Sequence, residues 1–212
     1  MVYTGTSMIE LNFESIRNRL ASGLPGETAQ RRMSPSVRLT KVQQPVKGES
    51  MESSVLITLF PTSGGLGTLL MERTKIGPHG GQISFPGGKM DLQDINTEQT
   101  ALREAQEEVG LEAKDVEIIG SLSRLYVPNS NFWINPFVAI IKTEPKWIPN
   151  ADEVSSLIRV DLEYLFSNSI KKRRELQVNG FQIDAPYYDV HGHFVWGATA
   201  MIISEFESVC LR

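Results

Sequence analysis

Residues 103–111 read Arg-Glu-Ala-Gln-Glu-Glu-Val-Gly-Leu, and they decide the fold of this chain. On a helix of about 3.6 residues per turn, Glu104, Glu107 and Glu108 fall within an arc of roughly 100°. Like charges at these spacings destabilise a helix, so three of them on one face need a reason. Hard divalent cations such as Mg²⁺ prefer oxygen ligands, and clustered carboxylates suit them. The stretch predicts either a cation-binding helix or an exposed acidic helix face.

The residues on either side of the carboxylates favour a helix with defined ends. Its apolar residues share a neighbouring arc that can face a core, and they are Ala101, Leu102, Ala105 and Val109. Asn96 or Thr97 is suited to the N-cap, and Gly110 to the left-handed residue that ends the helix. Arg103 precedes Glu107 by four residues, a spacing at which its guanidinium can orient that carboxylate.

The helix and the glycine pair at residues 87–88 together resemble the Nudix box, G-x5-E-x7-R-E-U-x-E-E-x-G-U, in which U is aliphatic. The second half matches at every fixed position, with Ala105 and Leu111 as U residues. The first half departs, because 14 residues rather than the family's 13 separate Gly88 from Arg103, and no Glu occupies the early position. Asp94 or Glu98 could stand in, although neither is in register with Arg103.

The upstream stretch, residues 69–88, reads LLMERTKIGPHGGQISFPGG. It resembles the extension that marks the coenzyme A pyrophosphatase branch of Nudix hydrolases, about L-L-T-x-R-S, a spacer and G-x3-F-P-G-G. That branch also carries the loop that is one residue longer. Met71, Thr74 and Pro78 depart from its pattern. Further segments are similar to the branch, and the resemblance covers about residues 50–205.

The resemblance implies a fold and a metal site. The fold is α/β (α+β), a Nudix-type α/β/α sandwich with a mixed β-sheet, plus an N-terminal helical extension. The metal is Mg²⁺ or Mn²⁺, held by Glu104, Glu108 and Glu107 with the carbonyl of Gly88. The implied catalytic residues are Glu107, Glu104 and Arg103. One of the two glutamates takes the proton from the attacking water, and Arg103 holds the carboxylates in place.

The glycine-rich residues 77–88 predict a loop that approaches a diphosphate closely, because glycine admits backbone conformations that other residues avoid. The candidate substrate-binding residues there are Gln82, Ser84 and Gly87, with Arg73 as a partner for a phosphate. His79 is either a substrate contact or an ordinary loop residue. Asp152 and Glu153 are candidates for an additional acid, with a solvated turn as the alternative.

Composition limits the classes of function. The chain has 212 residues and a net charge of −4, which argues against a nucleic-acid partner because such proteins usually carry a basic face. One cysteine among 212 residues fits a reducing compartment, and no apolar run is long enough to span a bilayer, so we expect a cytoplasmic protein with no membrane partner.

A homodimer is compatible with the pattern of the sequence. Residues 1–49 are predicted to form a helix-and-linker extension, and residues 50–212 the Nudix domain.

The periodicity predicts an order of elements along the chain. Helices are expected over residues 9–21, in the acidic stretch and over residues 196–211, and a linker over residues 21–50. Strands are expected over residues 55–60, 67–72, 116–125, 133–141, 157–162, 182–190 and 193–196. The basic run at residues 171–174 reads as a solvated turn or strand edge, with contact to an anionic substrate as the alternative.

Three functions follow from the resemblance. The leading one is a diphosphohydrolase that cleaves coenzyme A or acyl-CoA to 3′,5′-ADP and (acyl-)4′-phosphopantetheine. The second is a Nudix hydrolase of ADP-ribose, dinucleotides or nucleoside triphosphates. The third is a non-catalytic Nudix domain that senses a ligand, which the presence of all three glutamates disfavours.

Overall fold

The computed structural model describes residues 2–4, 7–9, 11–36, 50–75, 80–178 and 180–212. The strands are β1 Val2–Thr4, β2 Ser7–Ile9, β3 Met51–Thr62, β4 Gly65–Arg73, β5 Ile83–Ser84, β6 Gly87–Lys89, β7 Glu117–Ser121, β8 Leu125–Val127, β9 Phe132–Ile140, β10 Val154–Asp161, β11 Lys171–Val178, β12 Phe181–Val190 and β13 His193–Trp196. The α-helices are α1 Phe13–Ala21, α2 Glu27–Gln30, α3 Thr97–Val109, α4 Leu162–Leu165 and α5 Gly197–Cys210. Short 3-10 turns occupy Arg31–Met33, Ala113–Asp115 and Asn168–Ile170.

The central sheet is mixed, with strand order β10-β4-β3-β9-β7. β3 runs parallel to β9 and antiparallel to β4. β4 pairs with β3 only over residues 60–62 of β3, and β6 pairs with β3 over residues 53–55. The sheet therefore opens between β3 and β4, and the glycine pair of β6 lies in that opening.

Both faces of this sheet are covered, because side chains alternate along each strand. From β3, Leu56 and Phe60 pack with α3 on one face. Ile57 and Leu59 pack on the other face in the core that contains α1 and α5. The buried run of five residues along β3 follows from this two-sided packing. The predicted α/β/α sandwich with a mixed sheet is confirmed.

Helix α3 has the ends that the sequence predicts. Asn96 is the N-cap, and its Oδ1 accepts a hydrogen bond from the backbone N–H of Gln99 at 2.8 Å. Gly110 ends the helix in the left-handed region at φ 71°. Ala101, Ala105 and Val109 are fully buried and attach the helix to the sheet. The acidic positions are thereby placed at the edge of a buried face.

Helix α1 begins later than predicted, so the expected start at residue 9 is wrong. Asn12 and Ser15 form a capping box, in which the Asn12 side chain accepts from the N–H of Ser15 at 2.8 Å. Ile9 lies instead at the end of β2. Ile16 and Leu20 are buried in the core, so the apolar face of α1 packs within the chain itself.

Part of the segment predicted as a linker is helical and packs against α5. The carboxylate of Glu205 is fully buried and accepts hydrogen bonds from Gly26 N at 3.1 Å, Gln30 Nε2 at 2.8 Å and Ser123 N at 3.2 Å. α2 is therefore attached to the domain. Residues 37–49 of the predicted linker lie outside the described residues, and the boundary at residue 49 stays a prediction.

The last part of the chain adds a three-stranded antiparallel sheet, β11-β12-β13. The predicted hairpin of β12 and β13 is present. β11 contains the basic run, so the interpretation of residues 171–174 as a turn is wrong, whereas a strand edge is right. The prediction of one strand over residues 116–125 is wrong. The structure has two strands there, β7 and β8, because each pairs with a different part of β9. Within the described ranges, no helix is long and apolar enough to cross a membrane.

Candidate active site

Glu108 lies deepest in the candidate site, and its side chain is only 1% exposed. Its Oε2 accepts a hydrogen bond from the backbone N–H of Gly87 at 2.8 Å, and its Oε1 accepts one from Arg73 Nη1 at 3.0 Å. Burial raises the pKa of Glu108 to about 7, although the Gly87 N–H and Arg73 oppose that rise. Such a carboxylate is poised to gain from a cation, because burial without full compensation disfavours its charge.

Glu104 lies one turn earlier on α3 and faces Gly88. Its side chain is 14% exposed, and burial raises its pKa against the opposing effect of Arg103. A Cβ atom on Gly88 would lie 2.4 Å from Oε2 of Glu104. Only glycine lets the backbone of β6 come this close to the carboxylate.

Arg103 connects three carboxylates. Its Nη1 donates to Oε1 of Glu104 and to Oε2 of Glu107, each at 2.9 Å. Its Nε and Nη2 donate to the two carboxylate oxygens of Asp94, again at 2.9 Å each, and Nη2 also donates to the carbonyl of Lys89 at 3.1 Å. The side chain of Glu107 is 53% exposed, so it is more accessible than Glu104 and Glu108.

Asp94, rather than Glu98, takes the early acidic position of the box. Its carboxylate is buried and also accepts from Thr100 Oγ1 at 3.0 Å and from the N–H of Asp91 at 2.8 Å. The hydrogen bonds from Arg103 lower the pKa of Asp94 to about 2, so the group is ionised. Glu98 is exposed. Five residues separate Gly88 from Asp94, as in the first half of the box, so the additional residue lies between Asp94 and Arg103. The carboxylate of Asp94 nevertheless contacts Arg103.

Glu153 lies closer to the site than the sequence alone could establish. Its carbonyl accepts from the N–H of Thr74 at 2.8 Å, and its carboxylate accepts from Asn150 Nδ2 at 3.3 Å. The N–H of Asn150 donates to the carbonyl of Glu108 at 2.9 Å, which holds this turn against the end of α3. The charge of Glu153 contributes to the raised pKa of both Glu104 and Glu108. Asp152, the other candidate, is exposed.

The candidate substrate residues fall into two sets. Arg73 and Gly87 contact Glu108 directly, as described above. Gln82 and Ser84 lie on the segment that pairs with the end of β4, where the carbonyl of Gln82 accepts from the N–H of Arg73 at 3.0 Å. The hydroxyl of Ser84 is buried and has no hydrogen-bond partner among the residues that the structure describes. His79 lies outside those residues.

The carboxylates of Glu104 and Glu108 place oxygen atoms, the donors that Mg²⁺ prefers, beside the opening between β3 and β4. In the described part of the chain, no three His, Cys, Asp or Glu side chains are already arranged around a common point as a metal site. Two arginines instead engage the helix glutamates, Arg73 at Glu108 and Arg103 at Glu104 and Glu107. The carboxylates with raised pKa, Glu104 and Glu108, are the ones beside the glycine pair.

The sandwich, the glycine pair and the acidic helix define a class of hydrolase, and the comparisons identify the family. Residues 51–176, more than half of the chain, match the NUDIX domain. The chain is 33% identical over 165 residues to the uncharacterized Nudix hydrolase NudL of Pectobacterium atrosepticum, covering 74% of this chain and 81% of that protein. This chain belongs to the Nudix family, and the prediction of a Nudix-type hydrolase is confirmed.

Other relatives are more distant or longer. The chain is 30% identical over 175 residues to the mitochondrial Nudix hydrolase 15 of Arabidopsis thaliana, which covers 79% of this chain and 61% of that protein. Among solved structures, a MutT/nudix family protein from Enterococcus faecalis is similar with a TM-score of 0.47 and 17% identity, over 96% of this chain and 73% of that one. The family assignment rests on the domain match and the sequence relatives.

Proposed function

We propose that this protein is a divalent-metal-dependent diphosphohydrolase that cleaves coenzyme A or acyl-CoA to 3′,5′-ADP and (acyl-)4′-phosphopantetheine. The observation that carries the proposal is the buried carboxylate of Glu108, with Glu104 beside it, facing the glycine pair at residues 87–88. The stretch that ends in that pair, residues 69–88, is the part that resembles the coenzyme A branch.

The residues present fit Mg²⁺ or Mn²⁺. Glu104 and Glu108 supply hard oxygen donors, and their raised pKa reflects a charge that the protein alone does not fully compensate. Glu107 and the carbonyl of Gly88 complete the proposed ligand set, and Glu153 is a candidate addition. A bound divalent ion would neutralise the charge that develops on the diphosphate oxygens during hydrolysis.

The protein's own groups have distinct roles in this proposal. Arg103, held by Asp94, keeps Glu104 and Glu107 in place. Glu107 or Glu104 accepts the proton of the attacking water. Arg73 lies between Glu108 and the loop, where its guanidinium can also pair with a phosphate. Of the other candidate substrate residues, Gln82 is exposed and can donate to the substrate. The N–H of Gly87 is already donated to Glu108, and the hydroxyl of Ser84 is buried.

A substrate panel with product identification tests the proposal. Purified protein with Mg²⁺ or Mn²⁺ is given coenzyme A, an acyl-CoA, ADP-ribose, a dinucleotide and a nucleoside triphosphate. We expect coenzyme A or its acyl ester to turn over fastest, with release of 3′,5′-ADP. Turnover of ADP-ribose with coenzyme A left intact would overturn the choice of substrate. No turnover of any compound would favour the sensing function.

We also propose a compartment and consider a homodimer. The single buried cysteine, Cys210, accords with a reducing compartment such as the cytoplasm. A homodimer would need a surface other than the buried side of α1, because Ile16 and Leu20 already pack in the core of the chain.

A further inference from the structure

The sheet β11-β12-β13 has one face turned away from α5. Tyr188 and Val195 are partners across β12 and β13, and both are buried in the core that contains α5. Their neighbours Tyr187 and Trp196 are also partners, and they point to the opposite face because side chains alternate along a strand. We call this second surface, formed by Tyr187, Phe194 and Trp196, the aromatic face.

The three rings of the aromatic face adjoin one another. The centroids of Tyr187 and Phe194 are 4.5 Å apart, and those of Phe194 and Trp196 are 5.9 Å apart. All three side chains are partly exposed. Partly exposed rings of this kind provide a surface on which a nucleic-acid base can stack.

The basic run of β11 supplies Arg174 to this face, and Arg174 has no acidic partner among the described residues. Three of its four side chains form ion pairs, which are Lys171 with Glu207, Lys172 with Asp189 and Arg173 with Asp184. Arg174 forms no such pair within the part of the chain that the structure describes. Its guanidinium lies over the ring of Phe194, 5.7 Å from the centroid. An exposed arginine beside aromatic rings is suited to a phosphate attached to a stacked base.

The strand that carries two rings of the aromatic face, β13, is connected to the candidate active site through β5. β13 contacts β5, and Thr199 Oγ1, three residues after Trp196, donates to the carbonyl of Ile83 at 2.9 Å. β5 pairs with Met71 and Glu72 of β4. The next residue along β4 is Arg73, which binds Glu108. A substrate whose diphosphate lies at Glu108 can therefore extend across β5 towards the aromatic face.

We propose that the aromatic face and Arg174 bind the nucleotide end of the substrate, with the adenine on the rings and the 3′-phosphate paired with Arg174. This inference rests on the proposed function, because coenzyme A carries both an adenine and a ribose 3′-phosphate. It assigns to Arg174 the discrimination between coenzyme A and dephospho-CoA, which lacks the 3′-phosphate. The other three cations of the run are already neutralised by their partners.

The test is Arg174→Gln, assayed with coenzyme A and with dephospho-CoA. We expect KM for coenzyme A to rise on the order of tenfold with kcat little changed, which is the effect of losing one charge-assisted contact. The kinetics with dephospho-CoA should stay the same. Arg173→Gln is the matched control, because Arg173 points to the other face of β11 and is paired with Asp184; it should leave both substrates unaffected.

Calorimetric titration gives the same comparison without turnover. Arg174→Gln should weaken binding of 3′,5′-ADP about tenfold and leave binding of 5′-AMP unchanged. Equal effects on both ligands, or none, would overturn the inference even though the wild type hydrolyses coenzyme A. A wild type that leaves coenzyme A and dephospho-CoA intact would instead overturn the proposed function, and the inference with it.

Discussion

Arg103 and Asp94 form a bidentate pair, in which Nε and Nη2 of the guanidinium each lie 2.9 Å from a carboxylate oxygen. The remaining nitrogen, Nη1, is thereby directed at Glu104 and Glu107. A bidentate pair fixes the plane of the guanidinium as well as its position. Asp94 therefore orients the helix glutamates through Arg103, in the place where the Nudix box has its early glutamate.

The first prediction concerns Asp94→Asn. An amide offers Arg103 only one acceptor oxygen and no charge, so we expect Arg103 to lose its orientation and kcat/KM to fall about tenfold or more. Steady-state kinetics measure this. Glu98→Gln is the control, because Glu98 is exposed. Equal activity of Asp94→Asn and the wild type would contradict the positioning role.

Asp94→Asn should also change how the stability of the protein depends on pH below about 4. Arg103 lowers the pKa of Asp94 from 3.8 to about 2 in the folded protein. Because the folded pKa is the lower one, the stabilisation by this carboxylate is present above about pH 4 and is lost as the pH falls towards 2. As the pH falls from 4 to 2, the free energy of unfolding should decrease less for Asp94→Asn than for the wild type. Denaturant unfolding at several pH values measures this.

The two glycines of β6 predict different outcomes when each is changed to alanine. At Gly88 the atoms nearest to the new Cβ belong to the end of the flexible Glu104 side chain, so we expect a loss of activity of about tenfold or more with little change in Tm. At Gly87 it would lie 2.2 Å from the carbonyl oxygen of Ser54, and φ is 154°, so Tm should fall markedly as well. Thermal unfolding with activity assays separates the two, and full activity of Gly88→Ala would show that Glu104 does not need its place beside β6.

Glu153 should influence the pH dependence of metal binding. Its negative charge contributes to the raised pKa of Glu104 and Glu108, and Glu108 stands at about 7. A metal must compete with the proton on such a group, so Mn²⁺ affinity should weaken as the pH falls below about 7. In Glu153→Gln that loss should begin at lower pH. Asp152→Asn is the control, and an unshifted profile in Glu153→Gln would place Glu153 outside the site.

Glu205 should be structural. Its buried carboxylate accepts from Gly26, Gln30 and Ser123, so Glu205→Ala leaves three donors without their acceptor. Because each unsatisfied buried group costs about 1–3 kcal/mol, we expect a loss of several kcal/mol in the free energy of unfolding. Glu27→Gln, in an exposed pair with Arg31, should cost about 1 kcal/mol or less. Denaturant unfolding compares them, and similar small losses would show that α2 is not held through Glu205.

Helix α3 could be predicted almost completely, because its caps and its apolar arc lie within the residues of the helix itself. The start of α1 could not, because Ile9 continues the helical spacing of Phe13 and Ile16, whereas the capping box at Asn12 ends it. The choice between a turn and a strand edge at residues 171–174 could not be made either, because the acids that pair with these cations lie 11 to 36 residues further along the chain. Long-range partners of this kind leave no local pattern.

The site shows the same division. Glu104, Glu107, Glu108 and Arg103 could be identified from their spacing. The choice between Asp94 and Glu98 needed the structure, because a count forward from Gly88 reaches Asp94 whereas a count back from Arg103 reaches neither acid. Glu153 lies 45 residues after Glu108, and the hydrogen bonds of its turn with the end of α3 and with Thr74 bring it to the site.

The most direct test of the metal-dependent hydrolase is the rate at which wild type and Glu108→Gln release 3′,5′-ADP from coenzyme A with Mg²⁺ or Mn²⁺. This substitution keeps the size of the side chain and removes the charge that a cation needs. We expect the wild type to require the metal and the variant to be slower by about 100-fold or more. Metal-independent release by the wild type, or equal rates for the two proteins, would contradict the account.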